Sequence, residues 1–219
     1  MAMFSKDLGI DLGTMFTRLA DSTQVLVQEP TIVAIEADEQ KMVAVGREAL
    51  DMYGRVPESI EVARPLKNGV IADYEITETL LSYLLQRVSG SMRIFRPRVM
   101  ISVPYGVTSV ERRAVYEAVL EAGSREAFLI QQPLAAAIGV DLPIGSPSGN
   151  MVISLGGGCV EAAVMAMYGI VSAETLRSGG MDFDDAIVNY VRRKYGVVIG
   201  QVTAEQLKTK IGAAVPQDT

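Results

Sequence analysis

The chain has 219 residues, 49% of them apolar and 21% charged, which is typical of one large or two small globular domains and not of a disordered protein. It has no histidine and a single cysteine, Cys159, which excludes histidine-dependent hydrolases, histidine metal sites and an internal disulfide. The formal net charge of −6 argues against nucleic acid as a partner. We expect neither a transmembrane helix nor a signal peptide, because no stretch approaches 18 apolar residues and the first residues lack an apolar core.

The first 140 residues predict strands followed by alternating helices and strands. Thr108 and Glu111 form a capping-box pattern, and Val110, Ala114 and Ala118 are predicted on the buried face of the helix that it starts. The predicted elements are two strands around a turn within 8–20, strands at 25–27, 31–35 and 42–45, a helix at 76–88, a strand at 99–103, the capped helix, a strand at 127–130 and a short helix at 134–138.

The second part of the chain repeats the opening pattern of strand, glycine turn and strand, here within residues 151–164. A strand at 170–176 and a periodic helix that ends before Gly196 follow, and a second capping box at Thr203 predicts a last helix at 203–211. The residues predicted on the buried face of the periodic helix are Phe183, Ala186, Ile187, Tyr190 and Val191. These elements predict a mixed α/β protein with two related lobes.

The two glycine turns lie 143 residues apart, at Gly13 and Gly156. Glycine allows backbone N–H groups to approach an anion closely, so such turns are suited to binding phosphate. A tight hairpin uses the same residues, and that is the better reading of either turn alone. One turn in each lobe indicates instead a cleft in which two loops hold one nucleotide.

Several longer motifs resemble the MreB family of bacterial actin homologues, and together they cover essentially the whole chain. The motifs are Asp11–Thr14 with Thr17, residues 64–73 (Arg-Pro-Leu-Lys-Asn-Gly-Val-Ile-Ala-Asp), Val103–Gly106 with Glu111–Arg113, residues 128–139, Leu155–Gly158, Gly179-Gly180 and residues 190–193. The resemblance implies the α/β fold shared by actin, heat-shock chaperone ATPases and sugar kinases, with a nucleotide cleft between two lobes. It also implies filament assembly beneath the cytoplasmic membrane and guidance of cell-wall synthesis.

The resemblance also implies the domain limits and the partners. Residues 1–139 would form the first lobe, with a small inserted subdomain at about 30–75, and residues 150–219 would form an incomplete second lobe. The family continues beyond the last matched helix, through a glycine-rich adenosine loop. Expected partners are further copies of the chain or a full-length paralogue in filaments, an anionic membrane surface, and membrane proteins of cell-wall elongation. The expected location is the cytoplasm, peripherally on the inner face of the cell membrane.

By the family pattern, ATP or ADP would bind with magnesium, which Asp11 would hold through water. The residues implied to contact the nucleotide are Asp11, Gly13, Thr14, Met15, Thr17, Gly156, Gly157, Gly158, Glu205 and Lys208. Asp11 has the alternative role of a turn residue, and Glu205 with Lys208 that of an exposed ion pair on one helix face.

Five positions depart from the family pattern. Ser154 replaces an aspartate, and a hydroxyl lacks the charge that attracts a hard cation. Cys159 replaces a threonine, and Met15 and Phe16 replace small residues. Gln131 stands where a glutamate would orient the attacking water, and glutamine cannot accept the proton; Gln131 also fits the simpler role of a helix cap. These departures predict weak or lost binding of nucleotide and magnesium, and impaired hydrolysis.

A short hydrophobic and basic segment predicts contact with a membrane. Met92, Ile94 and Phe95 alternate with Arg93, Arg96 and Arg98, and the segment corresponds to the membrane-inserting loop of the family. The apolar side chains would enter the lipid and the arginines would meet anionic headgroups. The alternative is that Ile94 and Phe95 fold back under the preceding helix.

We therefore expect a membrane-associated cytoskeletal protein of the MreB type that binds ATP weakly and hydrolyses it poorly. A regulatory or capping partner of full-length filaments that binds no nucleotide is the first alternative. An active sugar or acetate kinase of the same superfamily is the second, although no further acid is placed to activate an acceptor hydroxyl. Nucleotide titration separates the first two, and a phosphorylation screen tests the third.

Overall fold

The computed structural model describes residues 6–38, 41–89 and 96–216. The strands are β1 (Asp7–Leu12), β2 (Phe16–Ala20), β3 (Val25–Pro30), β4 (Val33–Glu36), β5 (Lys41–Val45), β6 (Ile60–Ala63), β7 (Leu66–Lys67), β8 (Val70–Ile71), β9 (Arg98–Val103), β10 (Glu126–Gln131), β11 (Asn150–Leu155), β12 (Val160–Ala166) and β13 (Gly169–Leu176). The helices are α1 (Arg47–Met52), α2 (Tyr74–Ser89), α3 (Ser109–Glu121), α4 (Gln132–Gly139), α5 (Gly180–Tyr195) and α6 (Gln201–Ile211). The mixed α/β composition predicted from the sequence is confirmed. No helix in these ranges is long and apolar enough to span a bilayer.

The first sheet has the strand order β10-β9-β1-β2-β3, in which β9 runs parallel to β1 and β2 runs antiparallel to it. Helices α2 and α3 cover one face, and the largest core is built there from fully buried side chains such as Leu19, Leu80 and Ile101. The capping box of α3 is present: Thr108 Oγ1 accepts from the N–H of Glu111, whose carboxylate accepts from the N–H of Thr108. This core holds the ends of β1 and β2 in place.

A small sheet, β5-β4-β6, packs with α1 around a separate cluster of buried side chains that includes Ile32, Ala34 and Ala49. The hairpin β7–β8 follows it, with Asn68 and Gly69 at its tip in the left-handed conformation (φ 52° and 82°). An Asn-Gly pair with two positive φ angles is the sequence expected of a tight hairpin turn. The tip of this hairpin reaches the cavity described below.

The second sheet has the order β11-β12-β13, antiparallel throughout. Helix α4 packs on one face around Ala137, Ala163 and Met165. Helices α5 and α6 pack against each other. The meander repeats the arrangement of β1, β2 and β3, so the predicted repetition is present in the backbone.

Three expectations about the helices are wrong. Val110 is 76% exposed, because α3 turns Val115, Ala118 and Val119 toward the sheet instead.

In α5, Phe183 and Tyr190 are 67% and 51% exposed, and Asp184 is the residue of this helix that is buried. The helix packs mainly against α6, which leaves Phe183, Ala186 and Tyr190 exposed while Ile187 and Val191 are partly buried. Helix α6 begins at Gln201 after Gly200, so Thr203 lies inside the helix and the second capping box does not form.

Candidate functional site

Two loops with the same backbone geometry face each other. The first glycine loop (residues 13–15) joins β1 to β2, and the second glycine loop (residues 156–159) joins β11 to β12. The N–H of Gly13 donates to the carbonyl of Phe16 at 3.2 Å, and the N–H of Gly156 donates to that of Cys159 at 2.9 Å. A Cβ atom would lie 2.8 Å from the carbonyl oxygen in the first loop and 2.7 Å from it in the second. Both turns therefore require glycine at their first position.

The two glycine loops touch. A Cβ atom on Gly157 would collide with Met15 Cγ, and one on Gly158 would collide with Thr14 Oγ1. Thr14 Oγ1 in turn accepts a hydrogen bond of 3.0 Å from the N–H of Gly69, at the tip of the β7–β8 hairpin. Glycine at 157 and 158 is thus needed for the close approach of the loops.

A cavity of about 350 Å³ opens between the loops. Most of the residues that the sequence singled out line it, and the structure brings them together. The residues concerned are Asp11, Gly13, Thr14, Met15, Gly156, Gly157, Gly158, Glu205 and Lys208. The cavity is also lined by Arg18, Gln132 and Asp184, which sequence reasoning missed.

Thr17 and Gln131 are not among the described residues that line this cavity. Thr17 is buried behind the first glycine loop, where its hydroxyl lies 2.9 Å from Thr31 Oγ1, and Thr31 Oγ1 donates to the carbonyl of Gly13. Gln131 ends β10, and the next residue, Gln132, lines the cavity.

At the first glycine loop, Asp11 forms an ion pair with Arg18. The two residues are register partners on β1 and β2, and Arg18 Nη1 donates to Asp11 Oδ2 at 2.9 Å. Ser102 Oγ lies 3.3 Å from the other carboxylate oxygen. This pair could have been predicted from the sequence, because residues at matching positions on the two sides of a hairpin turn face each other.

The opposite wall of the cavity carries Lys208 of α6. Its Nζ lies 2.7 Å from Asp184 Oδ1 and donates to the carbonyl of Gly180 at 2.7 Å. Asp184 is buried, so this lysine is its compensating charge. Glu205 lies one helical turn before Lys208 on the same wall.

Beneath the second glycine loop, Glu161 is buried to 1% exposure. Its Oε1 accepts from the N–H of Tyr105 at 2.6 Å and from Thr175 Oγ1 at 3.0 Å, and its Oε2 has no partner among the described residues. Burial raises the pKa of this carboxyl, because the charged form is desolvated. Burial and the nearby Glu161 raise the pKa of the Cys159 thiol to about 11.

Near Glu161, further hydrogen bonds join the segment after β9 to β13 and to Arg177. Arg177 binds both carboxylate oxygens of Glu111 at 2.9 and 3.0 Å, and Thr175 Oγ1 accepts from the N–H of Gly106 at 3.2 Å. The hydrogen bond to Arg177 lowers the pKa of Glu111 to about 2. These bonds fix Gly106 to β13, and they fix the start of α3 to Arg177, the residue after β13.

The donors of this site do not fit a magnesium ion. Asp11 is already paired with Arg18, and Ser154 contributes no charge. Across residues 6–38, 41–89 and 96–216, no three acidic or cysteine side chains are grouped so that they could hold a metal.

The membrane-contact residues predicted from the sequence, Met92, Ile94 and Phe95, lie outside the described residues. Arg98, at the end of that segment, is described: it forms two hydrogen bonds with the carboxylate of Asp7, at 2.7 and 2.6 Å.

Comparison with known proteins places these features in a family. The family model described as MreB/Mbl protein matches residues 5–219. The chain is 47% identical to the cell shape-determining protein MreB of Escherichia coli, over 99% of this chain and 64% of that protein. It is 40% identical to the cell shape-determining protein Mbl of Bacillus subtilis, over 98% of this chain and 65% of that protein. The chain thus spans less than two thirds of the length of these relatives.

Solved structures also resemble this chain. The MreB5 protein of Spiroplasma citri bound to ADP superimposes with a TM-score of 0.90 at 32% identity, over 98% of this chain and 64% of that one. The same protein bound to AMPPNP also gives 0.90. A MamK double helical filament gives 0.75 at 20% identity, over 92% of this chain and 63% of that one, which is a likeness of fold alone. The actin-like fold expected from the sequence is confirmed.

Proposed function

Since this chain belongs to the MreB/Mbl family, we propose that it is a bacterial cytoskeletal protein of cell-shape determination that binds an adenine nucleotide between its two glycine loops. The observation that carries the proposal is the cavity of about 350 Å³ between two loops of matching geometry. Pockets of this size accommodate small ligands, and glycine turns allow backbone N–H groups to approach phosphate. ADP and AMPPNP occupy the related MreB5 protein.

Binding is weak and hydrolysis slow. Met15 occupies the space in front of Gly157, where it crowds a phosphate chain. Among the described residues beside the first glycine loop there is no free base, because Asp11 is paired with Arg18 and Gln132 cannot take a proton from water. Cys159 is a poor hydrogen-bond partner for phosphate, and its raised pKa keeps the thiol protonated at neutral pH.

Titration with a fluorescent adenine nucleotide, displaced by ATP, tests this proposal. We expect saturable binding, weaker than that of full-length E. coli MreB measured in parallel, and slower phosphate release. Glu205→Ala removes a side chain that α6 contributes to the cavity and weakens binding. Gln206→Ala changes the next, exposed residue of α6 and serves as the matched control. Absence of saturable binding would contradict the proposal and favour a regulatory partner of full-length filaments.

We propose that the chain assembles with itself or with a full-length paralogue, at the inner face of the cell membrane and near the membrane proteins of cell-wall elongation. Exposed apolar side chains on one face of β11 support association with another polypeptide surface: Met151, Ile153 and Leu155. Sedimentation alone and with full-length E. coli MreB tests it, and a chain that stays monomeric in both mixtures would contradict it.

Membrane contact through residues 92–98 is proposed from the sequence. Ile94 and Phe95 supply up to about 1.5–3 kcal/mol each on full insertion. Arg98 is engaged by Asp7, so the electrostatic contribution of the segment is smaller than three arginines would give. In vesicle flotation, I94S/F95S abolishes binding to anionic vesicles at any salt concentration. I153S, which changes an exposed apolar residue of β11, leaves it unchanged; equal flotation of both variants would show that this segment is not the anchor.

A further inference from the structure

We propose that the guanidinium of Arg18 serves as the cation of this cleft, so that the chain binds the polyphosphate group of a nucleotide without a divalent metal. The inference rests on the proposed nucleotide binding and specifies its chemistry. Its basis is the position of Arg18: it lines the cavity beside the first glycine loop, and its Nη1 donates to Asp11, the carboxylate next to that loop.

Three contacts hold the guanidinium at the cavity. Nη1 binds Asp11 Oδ2 at 2.9 Å, Nε donates to Gln28 Oε1 at 3.1 Å, and Cζ lies 5.8 Å from the centre of the Phe16 ring. Arginine has five N–H donors, of which these bonds use two. Within the described part of the chain no acceptor is found for the other three. The group is therefore held in place and retains donors for an anion.

A metal ion would meet two obstacles here. Magnesium binds through carboxylates, water and phosphate oxygens in octahedral geometry. Asp11 already shares its charge with Arg18, and the matching position of the second sheet is Ser154, which has none. A divalent cation close to Asp11 would also be repelled by the guanidinium 2.9 Å from the carboxylate oxygen.

Arginine can neutralise the negative charge of a polyphosphate, as a metal ion otherwise would. Its planar fork matches two phosphate oxygens, and it stays protonated at every physiological pH. Phe16, a bulky residue in the first glycine loop's connection to β2, supports the guanidinium from one side. Phe16 and Arg18 thus act together at this loop. Asp11 competes with phosphate for the same guanidinium, which accounts for low affinity.

The competing explanation is that the Asp11–Arg18 pair only ties β1 to β2. In that case Arg18 would affect folding but not the metal requirement. Substitutions of the two partners separate these explanations. If Arg18 binds phosphate, Arg18→Gln weakens binding and Asp11→Asn, which releases Arg18, does not. If the pair only ties the strands, both substitutions lower stability without opposite effects on binding.

The experiment measures the affinity of the full chain for ATP and for inorganic tripolyphosphate, in EDTA and in excess magnesium. The parent is expected to bind ATP with affinities that differ by less than about threefold between the two conditions. Arg18→Gln should lose about tenfold or more in EDTA for both ligands. Arg113→Gln, which removes an exposed arginine of α3, is the charge-matched control and should change neither value.

Asp11→Asn keeps Arg18 and should bind tripolyphosphate in EDTA at least as tightly as the parent. It also decides the matter if Arg18→Gln does not fold, as judged by its thermal melt. ATP binding that requires magnesium, or metal-free binding unchanged in Arg18→Gln, overturns the inference while leaving the proposed function intact. If ATP binds in neither condition, the proposed function fails, and tripolyphosphate binding then decides the role of Arg18.

Discussion

The two glycine loops have the same turn but opposite arrangements of charge. In the first, Asp11 on β1 faces Arg18 on β2, and both side chains are about 40% exposed at the cavity. In the second, the register partners are Ser154 and Glu161, so the acid lies on the other strand and is buried. The backbone of the loop is thus independent of the charges at its base. One loop exposes its charges at the cavity, and the other uses its acid to join the two sheets.

Removal of the buried acid should have the largest effect. Glu161→Ala leaves the N–H of Tyr105 and the hydroxyl of Thr175 without an acceptor, and an unsatisfied buried group costs about 1–3 kcal/mol. We expect a loss of about 3 kcal/mol in the free energy of unfolding, measured by urea denaturation. A loss below about 1 kcal/mol would mean that Glu161 does not hold the sheets together.

Glu161→Gln keeps an acceptor and should be much milder, and its effect should depend on pH. Because the pKa of Glu161 is raised in the folded state, protonation favours folding, and this contribution is lost as pH rises from the ordinary value near 4.3 through the raised one. The parent should therefore lose stability relative to Glu161→Gln as pH rises from about 4 through the raised pKa. A constant difference across that range would contradict the buried acid's role.

Substitution of the equivalent glycines should show where the loops are alike. In Gly13→Ala and Gly156→Ala the new Cβ meets a backbone oxygen, which cannot move aside, so we expect similar losses of about 2 kcal/mol. In Gly157→Ala the obstacle is the flexible Met15 side chain, and Met15→Ala should restore stability. Gly139→Ala, with open space around it, is the control for thermal melting. Unequal losses at 13 and 156 would break the equivalence.

The ion pair between Glu111 and Arg177 should contribute least to stability. Glu111→Gln keeps the helix cap of α3 but removes the charge that binds Arg177. Since the pKa of Glu111 is about 2, the pair stabilises the fold above the ordinary value near 4.3 and this stabilisation is lost as pH falls from there toward 2. The pair is partly exposed, so we expect less than about 1 kcal/mol at pH 7. A difference from the parent that persists at pH 2 would have another cause.

Local signals in the sequence predicted much of the fold. The capping box at Thr108 and the four-residue periodicity of α2 depend on neighbours along the chain, and both elements are present. The buried face of α5 was predicted wrongly, because whether Phe183 is covered depends on which element packs against the helix. Short elements such as α1 and β7–β8 carry too few residues for a periodic signal.

In the site too, local features could be predicted from the sequence, and features that depend on packing could not. The glycines of both loops were found because only glycine fits their turns, and their positions are visible in the sequence. Arg18 and Asp184 were missed, since the first depends on strand register and the second on how α5 and α6 meet. The motif Gln131-Gln132-Pro133 does not indicate which of the two adjacent glutamine side chains turns toward the cavity, and in the structure Gln132 lines it.

The single thiol of the chain gives a way to time the movement of the two sheets against each other. Cys159 lies in the second glycine loop with 7% of its surface exposed, close to Gly69 of the hairpin that contacts the first loop. Because so little of the thiol is exposed, we expect its alkylation rate to rise when the loops move apart. A nucleotide that bridges the loops should slow this labelling in proportion to its occupancy. The protein therefore carries its own labelling site for following ligand-induced closure, and no cysteine has to be introduced.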